Sequence, residues 1–334
     1  MKYFLHSSCS RLPIFSIRPF QALALVALGA VTISPGALAC SECGCSLSSD
    51  WAALGYTMAP GFETGVRFEY YDQTELRRGT GRVDRAALDL PNDDEIQQRT
   101  LNRNTWLDLN YVVNTRWAVT ASVPVHDRFH TTIAEGDTAI STSRAHGLGD
   151  VRLLGRYQVS GASHSFGLQF GLKLPTGRID QDFAEGPQAG ELLDRGLQLG
   201  TGTTNLLVGA SWFTRPSVHL GLFAQVSLDQ PLAARSEFRP STSLNFSSGI
   251  RWLNPTRLTP QLQLNIKSDG REHGAAADTA NSGGTLAYLS PGLTAELSGR
   301  ASAFVFVQLP VYQQVNGLQL EPKWILSVGL RWKI

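Results

Sequence analysis

The chain has 334 residues, of which 42% are hydrophobic and 17% charged, with 29 Lys and Arg against 28 Asp and Glu. A net charge of +1 excludes the strongly basic surface on which nucleic-acid binding depends. Outside the first 39 residues no window approaches the roughly eighteen consecutive apolar residues of a spanning helix, so a membrane would have to be crossed by strands.

The first element reads as an export signal. Lys2, Arg11 and Arg18 precede an apolar run from Phe20 to Ile33, and Ala37-Leu38-Ala39 supplies the small-x-small site that signal peptidase requires. Residues 1–39 carry three cations and no Asp or Glu, so removing them takes the charge from +1 to −2. Next comes Cys40-Ser41-Glu42-Cys43-Gly44-Cys45, with three thiols in six residues. Three fates stay open for it: a disulfide in an oxidising compartment, a soft-metal site, or lipidation of Cys40. No fourth metal ligand follows at a familiar spacing.

From residue 62 the apolar residues recur with a period of two, the signature of half-exposed strands. Twelve such runs are predicted, over residues 62–73, 100–113, 117–129, 150–159, 165–175, 203–213, 218–229, 243–253, 258–267, 285–297, 301–313 and 318–334. Short links such as Asn114-Thr115-Arg116 and Ser160-Gly161-Ala162-Ser163 mark hairpins. Long polar links alternate with them, including residues 74–97, a loop through residues 141–146, residues 176–200 with five Asp or Glu, and residues 268–284. The final stretch is the clearest. Trp324, Leu326, Val328, Leu330, Trp332 and Ile334 share one face, with Ser327, Gly329, Arg331 and Lys333 on the other.

Short turns at one end and long loops at the other describe an all-β, up-and-down antiparallel transmembrane barrel of about twelve strands. Tyr111, Tyr157, Trp212, Trp252, Trp332 and Trp117 all lie beside short turns or the C-terminus, which places an aromatic rim at one membrane boundary. The predicted organisation is a signal peptide at 1–39, a Cys-containing segment at 40–60 and a barrel at 61–334. With the greasy face outward, the lumen is expected to be lined by Arg67, Glu69, Asp108, Asp150, Arg152, Arg156, Lys173, Arg251, Lys267 and Arg331, a set in which cations outnumber carboxylates. Such charges either form a hydrated ion-pair network or line a pore that favours anionic solutes or carboxylated aromatics.

Catalysis finds little support. Adjacent residues of a strand point to opposite faces, so His126 and Asp127 cannot reach one site without a bulge. Gly147-Leu148-Gly149-Asp150 has no following helix to make it a phosphate loop, and no cofactor is expected.

Two stretches carry a resemblance. G-L-G-D-V-R-L-L-G-R-Y at 147–157 and G-L-K-L-P-T-G at 171–177 resemble the outer-membrane transporter-like family named for the meta-pathway of phenol degradation. Within it, the chain is similar to a branch with a Cys-rich mature N-terminus. The resemblance implies a β-barrel, an outer-membrane address and a role in moving solutes, and it carries no catalytic residues. The expected partners are outer-membrane lipid and lipopolysaccharide, the barrel-assembly machinery and a small-molecule solute; nucleic acid is not among them. Ile334 stands where many such barrels end in Phe. The expectation is a channel for passive passage of small solutes, aromatic or hydrophobic compounds among them. The alternatives are a metal- or redox-linked binding protein using Cys40, Cys43 and Cys45 as metal ligands, and a structural barrel with a blocked lumen.

Overall fold

The computed structural model describes residues 60–253 and 256–334. The export signal and Cys40, Cys43 and Cys45 lie outside the described residues. The strands are β1 (Gly61–Gly79), β2 (Gly81–Arg82), β3 (Ile96–Val112), β4 (Trp117–Ile133), β5 (Ser141–Leu148), β6 (Val151–Ser160) and β7 (His164–Leu174). They continue as β8 (Asn205–Ser217), β9 (Leu220–Pro231), β10 (Ser243–Trp252), β11 (Leu258–Asp269), β12 (Gly284–Glu296) and β13 (Ala301–Lys333).

Eleven of these strands form a closed antiparallel barrel, with β2 and β5 off the ring. A ring whose neighbours are all antiparallel needs an even number of crossings, so one of the eleven must reverse direction. That strand is β13. Its first arm, residues 301–315, pairs β12, while its second arm returns along β1 with Glu63 opposite Lys333 and Leu76 opposite Leu320. Gly317 at φ 44° provides the reversal, and the Leu318 N–H donates to Asn281 Oδ1 just beyond it. The wall is therefore crossed twelve times, as the alternation over residues 301–313 and 318–334 predicts. Ile334 N donates to Phe62 O, so the chain's last residue still belongs to the seam.

Register fixes which face sees lipid, because a slip of one residue would exchange the two faces. At the seam Val66 pairs Leu330 and Phe68 pairs Val328 on the outer face, while Gly65 pairs Arg331 and Arg67 pairs Gly329 on the inner one. The outer band is apolar on almost every strand: Leu107, Val119, Leu153, Leu168, Leu206, Val226, Phe246, Leu264, Leu289 and Leu309 are all exposed. In water so much exposed apolar surface would drive aggregation; in a bilayer it is what holds the barrel in place. At the short-turn end the rings meet in pairs, Phe62 with Tyr111 at 4.5 Å and Trp117 with Tyr157 at 4.9 Å. The turn between β3 and β4 is held by Asn114 Oδ1, which accepts from Arg116 N and Trp117 N.

One predicted loop is a strand. Residues 141–146, read from sequence as part of a long link, belong to β5, which continues the line of β6 upward along β4. Its inward residues are the buried Ser141, Ser143 and Ala145, and its outward ones are Thr142, Arg144 and His146. Neither face is greasy, so the segment shows no apolar period. The break between β5 and β6 falls opposite Pro124, whose carbonyl accepts from Gly149 N and which has no N–H of its own to offer.

Candidate functional site

The interior holds a cavity of about 320 Å³ lined by β1, β3, β4 and β6 and also by β7 to β11 across from them, through residues such as Asn205, Ser227, Asn245 and Lys267. It starts at the long-loop end near Pro240, Ser241 and Glu272 and reaches Glu63, Asn110, Thr120 and Arg331 beside the short turns. Of the ten lumen residues named from sequence, Arg67, Glu69, Asp108, Asp150, Arg152, Lys173, Lys267 and Arg331 line it. Arg156 and Arg251 share their inward parity but are buried outside its lining.

The expected cation surplus is not there. The lining holds six Lys and Arg, and seven Asp and Glu once Glu63, Asp229, Asp269 and Glu272 are included. Most of these charges meet in pairs: Arg67 with Glu69 at 3.2 Å, Lys173 with Asp229 at 3.4 Å, Lys267 with Asp269 at 3.0 Å and Arg331 with Glu63 at 3.1 Å. Three of the four added carboxylates were missed because they lie at the ends of predicted runs or in a loop, where the apolar period gives no phase. Asp229 was legible, since it follows Gln225 by four residues on the same face.

Asp150 has a different duty. Its Oδ1 accepts from Gly177 N at 3.0 Å, and its Oδ2 accepts from Thr201 N at 2.8 Å and Thr201 Oγ1 at 2.7 Å. Sitting at the β5–β6 break, this carboxylate ties together both ends of the loop that joins β7 to β8. Arg128 on β4 holds the same loop from within, donating through Nη1 to Gly196 O at 3.1 Å and Gln198 O at 3.3 Å. Phe183, Leu193 and Leu197 give the loop a small core, and Leu199 reaches the cavity wall. The polar composition of this loop gives no sign that it turns inward.

A second obstruction lies toward the short turns. Phe213 and Phe223 face each other across β8 and β9, and Phe304 and Phe306 stand on the first arm of β13, with three strands between β9 and β13 round the wall. All four are buried in one cluster, so rings from separated walls meet inside the barrel. Glycine makes the space. A Cβ at Gly249 would lie 2.7 Å from the Phe223 ring and 2.8 Å from Leu262 O, and Gly292 is covered in the same manner by Phe306. Toward the short turns the cluster fills the β8–β13 side and narrows the polar path to the β1, β3 and β4 walls and Arg331.

His126 and Asp127 part as strand geometry requires. His126 lines the cavity, with Nδ1 2.7 Å from Asn104 Oδ1, while Asp127 is held on the outer side by Arg103 at 3.2 Å and Arg144 at 3.1 Å. Trp106 was not singled out from sequence although it shares the inward parity of Asn104 and Asp108. Its ring lies 5.1 Å from the guanidinium carbon of Arg67 and 5.1 Å from that of Arg152.

No protein-family model matches the chain, and no curated protein matches it. The fold is similar to solved barrels. An outer membrane channel of the COG4313 group from Pseudomonas putida F1 superposes with a TM-score of 0.62 at 10% identity, over 84% of this chain and 98% of that one. A FadL homologue from Pseudomonas aeruginosa gives a TM-score of 0.45 at 8% identity, over 84% of this chain and 91% of that one. The closed antiparallel ring and the likeness to the COG4313 channel give the chain the fold of an outer-membrane β-barrel.

Proposed function

We propose that the protein is an outer-membrane channel through which small solutes, aromatic or hydrophobic compounds among them, pass by diffusion without chemical change. The observation that carries this reading is the cavity running along the β1, β3 and β4 walls from the long loops to the short turns. Its mixture of polar side chains with Trp106, Tyr71, Leu154, Leu199 and Leu207 suits solutes that have an apolar body and a polar end. The similarity in fold to a channel of the COG4313 group supports the same reading, as does the sequence resemblance to the transporter-like family of the meta-pathway of phenol degradation. The outer-membrane address, the export signal and contact with lipopolysaccharide and the assembly machinery are part of the proposal. Swelling of liposomes containing the purified protein, in isosmotic solutions of small neutral and aromatic solutes, tests it; swelling no faster than in empty liposomes would overturn it. A barrel with a blocked lumen is the second reading, favoured by the four-phenylalanine cluster and the inward loop. It predicts that absence of swelling.

A further inference from the structure

The paired charges of the lumen leave two cations without a carboxylate, and of these Arg128 is committed to Asn102 Oδ1, Gly196 O and Gln198 O while Arg152 is not so held. Arg152 has no carboxylate within ion-pair distance among the described residues, and its Nε is buried with no hydrogen-bond partner. Its contact is the face of Trp106, whose ring it shares with Arg67. A guanidinium stacked on an aromatic face uses its own face for that contact and keeps its N–H edge for a ligand. That edge matches a carboxylate in two parallel hydrogen bonds.

The surroundings set what kind of anion fits. Leu154 lies two residues along β6 on the same inward face as Arg152, and Pro124 is the register partner of Trp106 on β4. Across the strands Arg152 has Ser122 and Lys173 as register partners, with Asp108 beyond Ser122, so the apolar wall of Leu154, Pro124 and Trp106 covers one side of the guanidinium only. Water solvates an inorganic anion better than such a wall can, whereas an anion with an apolar body gains by burying that body there.

We propose that Arg152 and Trp106, flanked by Arg67, form a binding station in the lumen for small carboxylates with an apolar, planar body. This rests on the channel reading and names its substrate class. The station sits on the open side of the barrel, so a carboxylate moving along β1, β3 and β4 must pass it. Binding there would be weak enough for release, because the cation is held by one stack and one wall rather than by an enclosing pocket.

Benzoate is the probe, with benzamide as the uncharged molecule of the same shape. In a planar bilayer with sodium chloride on both sides, benzoate should reduce the chloride current of the wild-type channel saturably, and benzamide should not. Arg152→Gln should raise the half-blocking benzoate concentration by about tenfold or more, the scale of losing one charge-assisted bidentate contact. Arg152→Lys should fall between. Equal effects of benzoate and benzamide on the wild type would overturn the proposal without any variant. So would an unchanged half-blocking concentration in Arg152→Gln protein, each current being scaled to that variant's own benzoate-free value. A wild type that carries no current overturns the channel reading instead; titration calorimetry of benzoate into the detergent-solubilised protein then decides the station, with no heat of binding counting against it.

Discussion

Replacing Val226 by Arg should destabilise the folded barrel by about 2–4 kcal/mol, whereas Leu330→Arg should cost about 1 kcal/mol or less. The two side chains are equally exposed, at 41% each, and both face outward, so depth is what separates them. Trp252, a rim residue, pairs Leu220, and Val226 lies six residues further up β9. Strands tilted by about 40° climb roughly 2.6 Å per residue along the membrane normal, which lifts Val226 about 16 Å above the rim. In an apolar band about 25 Å tall that is close to the middle, where a guanidinium is most expensive. Leu330 is two residues from Trp332, or about 5 Å from the same rim, and an Arg there reaches the headgroups with its own side chain. Ser227→Arg, on the cavity side of the same strand, serves as the inward control. Urea titration of the protein folded into lipid vesicles, followed by tryptophan fluorescence, gives the three free energies. Equal costs for Val226→Arg and Leu330→Arg, or a larger cost for Ser227→Arg than for Val226→Arg, would refute the assignment of the two faces.

Phe223→Ala with Phe306→Ala removes two rings of the cluster on the β8–β13 side; each change should cost about 3–5 kcal/mol, and single-channel conductance should rise. Unchanged conductance in a folded double variant would show that the rings do not limit the path. Asp150→Ala removes an acceptor of three hydrogen bonds and should loosen the β7–β8 loop by about 2–4 kcal/mol, read as faster proteolysis within residues 176–204 while the barrel stays intact. At the outer mouth Asp194 keeps an exposed side chain, yet enclosure by the surrounding loops together with Glu95, Asp278 and Glu272 raises its carboxyl above the ordinary 3.8. A carboxyl raised on folding stabilises fully below its unfolded value and loses that contribution as pH rises through the folded one. Stability of the loop should therefore fall as pH increases above about 4, and Asp194→Asn should flatten that slope, as seen by proteolysis across a pH series.

The lipid face and the strand order were legible because both follow from a period of two that each strand repeats. The closing stretch of residues 324–334 is the plainest case: its alternation assigns Leu330 outward and Arg331 inward, and its pairing with β1 then closes the ring. Strand length was not legible beyond the membrane. There β1, β3 and β4 run on into water, where Ser, Thr and Arg serve both faces and β5 consequently reads as a loop. Within the site, parity alone would have found Trp106, because Asn104 and Asp108 flank it on the inward face. Leu199 and the inward turn of residues 176–204 have no such signal, since they depend on Asp150 and Arg128 reaching across from other strands. The supposed surplus of cations failed for a related reason. Counting within strand centres omits Glu63 and Asp269, which sit where strands end and complete two of the pairs, and Glu272 in the loop after β11.

The most direct test of an open path along β1, β3 and β4 is the single-channel current of the purified full-length protein in a planar bilayer. A continuous lumen predicts discrete conductance steps that grow linearly with voltage and shrink when Ser122, on that path, is replaced by Trp. No steps above the bare-bilayer baseline, or steps indifferent to Ser122→Trp, would contradict it.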